Sequence, residues 1–179
     1  MITIATTNAE QLWCFLEYLD EKKIKVDTYL HNNLIPLDVR SNGEIRITTR
    51  QVYNFLQEVI DTEKLTRLGW EVGIRYGSSA LQGLTLNAFA EASSDALFNL
   101  TASVSRHATD AKFFILKDRN KFEFCNIGSM AAKTSAYLHS EYYLLAVYID
   151  IVRRTFKEPD YLPTHVRFRS RDGLEQSWD

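Results

Sequence analysis

The sequence predicts an α+β fold in which helices from the amino-terminal part cover an antiparallel sheet. Three observations lead to this expectation. Apolar residues in the first third recur at helical spacing, residues 71–76 alternate between apolar and polar, and two apolar runs at 113–116 and 122–127 flank a polar turn. We therefore expect a helical subdomain at 1–67 and an α+β subdomain at 68–179, which together make one domain.

The amino-terminal third contains two strong helical patterns. The first is a set of apolar residues at helical spacing after a capping Thr7 or Asn8: Leu12, Phe15, Leu16 and Leu19. A short helix is expected at 27–30 and a turn at Asn42-Gly43. Thr48 and Gln51 are three residues apart, which is typical of a capping box, and they predict a second helix that continues to Ile60.

The remaining segments follow in an order that indicates a sheet. Residues 71–76 predict a strand with Val72, Ile74 and Tyr76 on one side, and helices are expected at 84–92 and from Ser93 onward. The two apolar runs around 118–120 predict a hairpin. A long helix at 137–156 and a last strand through Val166 and Phe168 complete the ferredoxin-like order βαββαβ.

Composition excludes several classes of protein. The 179 residues are 45% hydrophobic and 25% charged, with a formal net charge of −2, so the basic excess of a free-standing nucleic-acid binder is absent. The first residues do not form a secretory signal, and no uncharged apolar stretch reaches the roughly 18 residues of a membrane span. We expect a cytoplasmic protein without a membrane contact, in which Cys14 and Cys125 are buried thiols.

The motifs of common enzymes are missing. The sequence has no Gly-x-Ser-x-Gly elbow and no glycine-rich phosphate loop, and its four histidines do not have the spacing of metal ligands. We expect no enzymatic activity, no metal and no cofactor. His107 lies on an apolar helical face, where it is either a partly buried histidine with one hydrogen bond, a ligand contact or an axial haem ligand. His139 is expected to face solvent.

Aromatic residues offer the best case for a ligand site. Nine tyrosines and ten phenylalanines are many for this length, and rings with a few phenolic hydroxyls suit a small, mostly apolar ligand. Core packing is the alternative for any single ring. Glu141 interrupts the most apolar helix, where its carboxylate would hold a cationic ligand, pair with an arginine or face water. The candidate ligand-binding residues are His107, Glu141, Tyr137, Tyr142, Tyr148, Phe114 and Phe124.

Four short stretches resemble one bacterial family: 49–56, 68–73, 90–97 and 163–168. They match the helix that enters the family's sensing core, its Leu-Gly-Leu-x-x-Gly and Ala-Leu-Leu-Ser-Ser-Pro-Thr-Leu motifs, and its Pro-x-x-Val-x-Phe strand. The chain resembles the ligand-sensing amino-terminal domain of AraC-type transcription regulators, in the non-cupin "arabinose-binding" branch. Asp95 stands where the family usually has proline, and Asp179 lies a few dozen residues before the family's sensing domain ends.

The resemblance implies a function in transcription regulation. It implies that the chain binds a small, mostly apolar effector and forms a homodimer. It also implies that the chain controls an attached DNA-binding domain, a pair of helix-turn-helix units that this chain does not contain. The effector would act through different affinities for two conformations. Two other functions stay open, namely a ligand-free dimerisation module, and a haem or small-molecule sensor outside transcription.

Overall fold

The computed structural model describes residues 4–85, 111–118, 121–128, 134–166 and 168. Within these residues helices dominate, and the strands form two separate antiparallel pairs, β1 with β2 and β3 with β4. The elements in chain order are β1 (Thr6–Asn8), α1 (Glu10–Glu21), α2 (Val26–Asn32), a short 3₁₀ helix (Leu37–Arg40), β2 (Arg46–Thr48), α3 (Thr49–Glu63), α4 (Leu68–Thr85), β3 (Ala111–Asp118), β4 (Lys121–Gly128) and α5 (Ser135–Phe156).

The prediction of a ferredoxin-like βαββαβ sheet is wrong, because residues 71–76, which were expected to form its first strand, lie inside helix α4. The alternation of Val72, Ile74 and Tyr76 spans only six residues and does not distinguish a strand from a helix. Burial follows the helical period instead: Leu68, Val72 and Tyr76 are buried at every fourth position, whereas Ile74 is 53% exposed.

The other end of the expected sheet is also missing. The described residues between 163 and 168 form no strand, so Val166 and Phe168 add nothing to the β3–β4 pair. A separate helix was expected at 84–92. Its first two residues, Leu84 and Thr85, are the last two residues of α4, and residues 86–92 lie outside the described residues. The helix expected from Ser93 also lies outside them.

Several local predictions are confirmed. The Thr48 side chain accepts from the Gln51 N–H at 3.2 Å, and the Gln51 side chain accepts from the Thr48 N–H at 2.9 Å, which is the full capping box at the start of α3. The hairpin is an antiparallel ladder from Ala111 paired with Gly128 to Asp118 paired with Lys121. The long apolar pattern forms α5.

One continuous apolar core joins the amino-terminal helices to α4 and to the start of α5. It includes Leu12 and Leu19 of α1, Leu56 of α3 and Val72 of α4, all almost fully buried. Its members therefore lie on both sides of residue 67, where the sequence suggested a subdomain boundary; the boundary itself stays a prediction.

Helix α1 is attached to α4 by polar contacts at the edge of this core. The Tyr18 hydroxyl donates to the Glu71 carboxylate, and Arg75 pairs with Glu21 at 2.5 Å. Burial, and then the bond to Glu71, raises the pKa of Tyr18. These contacts hold one side of α4 against α1, and the opposite side of α4 packs against α5.

Candidate functional site

The start of α5 is held by α3. The Gln57 side chain accepts from the backbone N–H of Ala136 at 3.0 Å and donates to the Ser135 hydroxyl at 2.6 Å. Thr134 precedes the helix and accepts from the Tyr137 N–H. Since the first N–H groups of a helix have no partner within it, Gln57 and Thr134 together satisfy donors that would otherwise be unpaired.

Glycines on α4 let α5 approach very closely. A Cβ atom on Gly69 would overlap the carbonyl of His139, and one on Gly73 would lie 2.7 Å from both the Ala146 Cβ and the Tyr143 carbonyl oxygen. The two glycines are four residues apart, so they lie on the same face of α4. The two helices can therefore approach this closely only because these positions carry no side chain.

His139 is buried in the crossing, with 4% of its surface exposed. The backbone N–H of Gly69 donates to its Nδ1 at 3.1 Å. Nδ1 is therefore unprotonated, and the neutral imidazole carries its proton on Nε2. Burial lowers the pKa of His139, which keeps the ring in this neutral form. The sequence-based expectation that His139 faces solvent is wrong.

The aromatic group next to this crossing is the Tyr142 cluster, which consists of His139, Tyr142 and the partly buried Phe168. The Tyr142 ring meets the His139 ring edge-on at 6.1 Å and the Phe168 ring edge-on at 5.1 Å between centroids. Tyr142 is 5% exposed, and its buried hydroxyl has no hydrogen-bond partner among the residues that the structure describes. Burial, and then the charge of Glu141, raises the pKa of Tyr142, so the phenol stays protonated.

Phe168 reaches Tyr142 because the chain turns back after α5. Lys157 adopts the left-handed conformation with φ of 57°, and its N–H donates to the Arg153 carbonyl. The Arg153 side chain then donates from Nε to the carbonyl of Tyr161 at 2.9 Å. We call residues 157–166 and 168 the return segment, since it runs from the end of α5 back to its first half.

Three of the candidate residues lie on a side of α5 that differs from the side of Tyr142. At about 100° per residue, Tyr137, Glu141 and Tyr148 fall within about 40° of one another, and Tyr142 lies about 100° beyond Glu141. Tyr137 is buried against Tyr53 of α3, with 5.9 Å between ring centroids, and burial raises the pKa of Tyr148. The helix therefore divides the α5 candidates between two sides.

The remaining candidates are not brought to α5 by any described contact. The register pairs Phe114 with Cys125 and Ile115 with Phe124, so positions 114 and 124 lie on opposite faces of the hairpin. The side chains of Phe114 and Phe124, and the whole of His107, lie outside what the structure describes.

Sequence reasoning missed His139 and Phe168 as members of the site. The signal for His139 was the pair Gly69 and Gly73, because glycines four apart in a helix predict a close neighbour. Phe168 had no such signal, since the return segment brings it to Tyr142 through a turn at Lys157 and a contact of Arg153.

The described ranges contain no group of three or more His, Cys, Asp or Glu residues that could hold a metal ion. In the same part of the chain, no helix has both the length and the apolar character that a membrane crossing requires. The chain matches no protein-family model, and a comparison with curated proteins finds no significant match.

Proposed function

We propose that this chain is the effector-sensing domain of a cytoplasmic AraC-type transcription regulator, which controls an attached DNA-binding domain. The proposal rests on the stretches that resemble the family, and it does not need the ferredoxin-like sheet. One observation carries it: the stretches at 49–56 and 68–73 both meet the tyrosine-rich helix α5 at its first turns. Tyr53 packs on Tyr137, and Gly69 binds His139.

The crossing of α4 and α5 is also where a ligand would find an unmet hydrogen-bonding group. Beside the Gly69–His139 contact, the buried Tyr142 hydroxyl finds no partner in the described part of the chain. A buried polar group without a partner costs about 1–3 kcal/mol, so a ligand that satisfies it would gain affinity. A small, mostly apolar effector suits the aromatic surroundings.

The effector is tested by thermal unfolding of the purified chain with a panel of metabolites and fatty acids. A compound present at 100 times its Kd should raise Tm by about 5–10 °C for a domain of this size. If no compound raises the Tm of a cooperatively unfolding sample, the effector-sensing part of the proposal is wrong. A reading frame that continues past Asp179 into two helix-turn-helix units would support the regulatory part.

A ligand-free dimerisation module is the second candidate. It is favoured by Leu34, which is 81% exposed and held at a φ of 55°, and by the exposed Leu37 beside it. Gln51 fixes this loop by donating to the Leu34 carbonyl at 2.6 Å. Sedimentation equilibrium tests the idea: a Leu34→Lys variant should dissociate a dimer, and a wild-type chain that stays monomeric at micromolar concentrations contradicts it.

A further inference from the structure

The Tyr142 cluster contains two hydrogen-bond donors that the described residues leave available. The first is the N–H of His139 Nε2, because His139 makes one hydrogen bond within the described residues, and that bond is at Nδ1, from Gly69. The second is the buried Tyr142 hydroxyl, which makes no hydrogen bond to any described residue. The two residues are three apart on α5 and their rings meet edge-on, so they lie on adjoining parts of the helix surface.

The protonation of both groups is fixed by their surroundings. The Gly69 N–H sets the imidazole tautomer, and burial lowers the pKa of His139, which keeps the ring neutral. Burial raises the pKa of Tyr142, so its hydroxyl keeps its proton. The His139 Nε2–H can only donate, whereas a phenol can donate or accept. A partner common to both groups must therefore offer an acceptor.

We propose that the His139 Nε2–H and the Tyr142 hydroxyl form a two-donor anchor for one carbonyl oxygen of a small, mostly apolar ligand. The inference rests on the proposed sensing function and names the chemical class of its effector: an uncharged ketone, ester or lactone. A carboxylate fits less well, because a buried anion needs a cation and neither anchoring group carries a positive charge. Phe168 packs on Tyr142 and supplies an apolar wall for the rest of the molecule.

The test uses three probes of nearly equal shape. Acetophenone carries a carbonyl oxygen, ethylbenzene replaces that oxygen with hydrogens, and benzoate carries a charged carboxylate. Each is titrated into the wild-type chain labelled with ¹⁵N-histidine, and Kd is measured from the chemical shifts. We expect acetophenone to bind at least 10-fold more tightly than either of the others and to shift the Nε2 resonance of His139.

Two variants remove one donor each. Tyr142→Phe keeps the ring and removes the hydroxyl, and His139→Asn keeps an acceptor for the Gly69 N–H but removes the Nε2 donor. Each should weaken acetophenone binding by about 5- to 10-fold and leave ethylbenzene binding unchanged. Without ligand, Tyr142→Phe should also raise Tm by about 2–4 °C, because it removes a buried group that has no partner.

Tyr29→Phe is the matched control. It makes the same chemical change at a hydroxyl that does have a partner, the Glu63 carboxylate at 2.5 Å, so it should lower Tm and leave the affinity for acetophenone unchanged. Equal binding of acetophenone and ethylbenzene, or no binding by any probe, would overturn the anchor. A metabolite that stabilises wild type, Tyr142→Phe and His139→Asn equally would also overturn it, while leaving the sensing function intact.

Discussion

Gly69 and His139 are joined twice: the N–H of Gly69 donates to the His139 side chain at 3.1 Å, and the missing Gly69 side chain makes room for the His139 carbonyl. The contact joins α4 to α5 across seventy positions of sequence. It buries the imidazole, sets its tautomer and brings Tyr142 beside it. The chemistry of the candidate site therefore depends on a residue that has no functional group of its own.

The first prediction concerns the closeness of this crossing. In Gly69→Ala the new Cβ would overlap the His139 carbonyl, which is backbone, so the two helices must separate. We expect the free energy of unfolding to fall by about 3 kcal/mol, measured by urea denaturation. Ile74→Ala on the exposed side of α4 is the control and should change it by about 0.5 kcal/mol or less. A Gly69→Ala variant as stable as wild type would contradict the close approach.

The second prediction concerns the stability of the fold at acidic pH. Burial lowers the pKa of His139 below its ordinary value of 6.5. Below that value the unfolded chain binds a proton that the folded chain does not, so stability should fall as pH drops from about 7 to 5. His139→Asn removes the group and should make this part of the decline smaller in urea unfolding at each pH. Parallel curves for the two proteins would show that His139 is not the residue responsible.

The third prediction concerns the stability of the fold at alkaline pH. The bond to Glu63, and then burial, raises the pKa of Tyr29 to about 12. Between the ordinary value of 10.0 and about 12, the unfolded chain loses a proton that the folded chain keeps, so stability falls as pH rises through this range. Tyr29→Phe should be less stable than wild type at pH 8, by about 1–2 kcal/mol, and this difference should shrink by pH 11. A difference that stays constant with pH would contradict the assignment.

The fourth prediction concerns the return segment. Phe168→Ala removes the edge-on contact with Tyr142, and a double-mutant cycle with Tyr142→Ala should give a coupling free energy of about 1 kcal/mol. Leu162→Ala lies in the same segment on an exposed residue, and it should show no coupling to Tyr142. Additive effects of the Phe168 and Tyr142 substitutions would mean that this end of the segment does not pack on α5 in solution.

Local patterns predicted those elements whose cause is local. The capping box of Thr48 and Gln51 forms between residues three apart, and the helical spacing of Leu12 to Leu19 concerns a few turns of one helix. The β3–β4 hairpin joins neighbouring segments, and the long apolar period of α5 needs no distant partner to be recognised. Hydrogen bonds and side-chain contacts over such short separations can be inferred from residue order.

The nature of 71–76 and the make-up of the site could not be inferred in this way. Six residues with alternating apolar side chains fit either a strand or a helix, and α5, far away in the sequence, selects the helix by packing against Gly69 and Gly73. The sequence marked Tyr142 as a candidate, but the burial of its hydroxyl without a partner in the described ranges, and its neighbours His139 and Phe168, follow from a helix crossing and a chain reversal. Both depend on contacts between residues distant in sequence, and residue order alone does not specify such contacts.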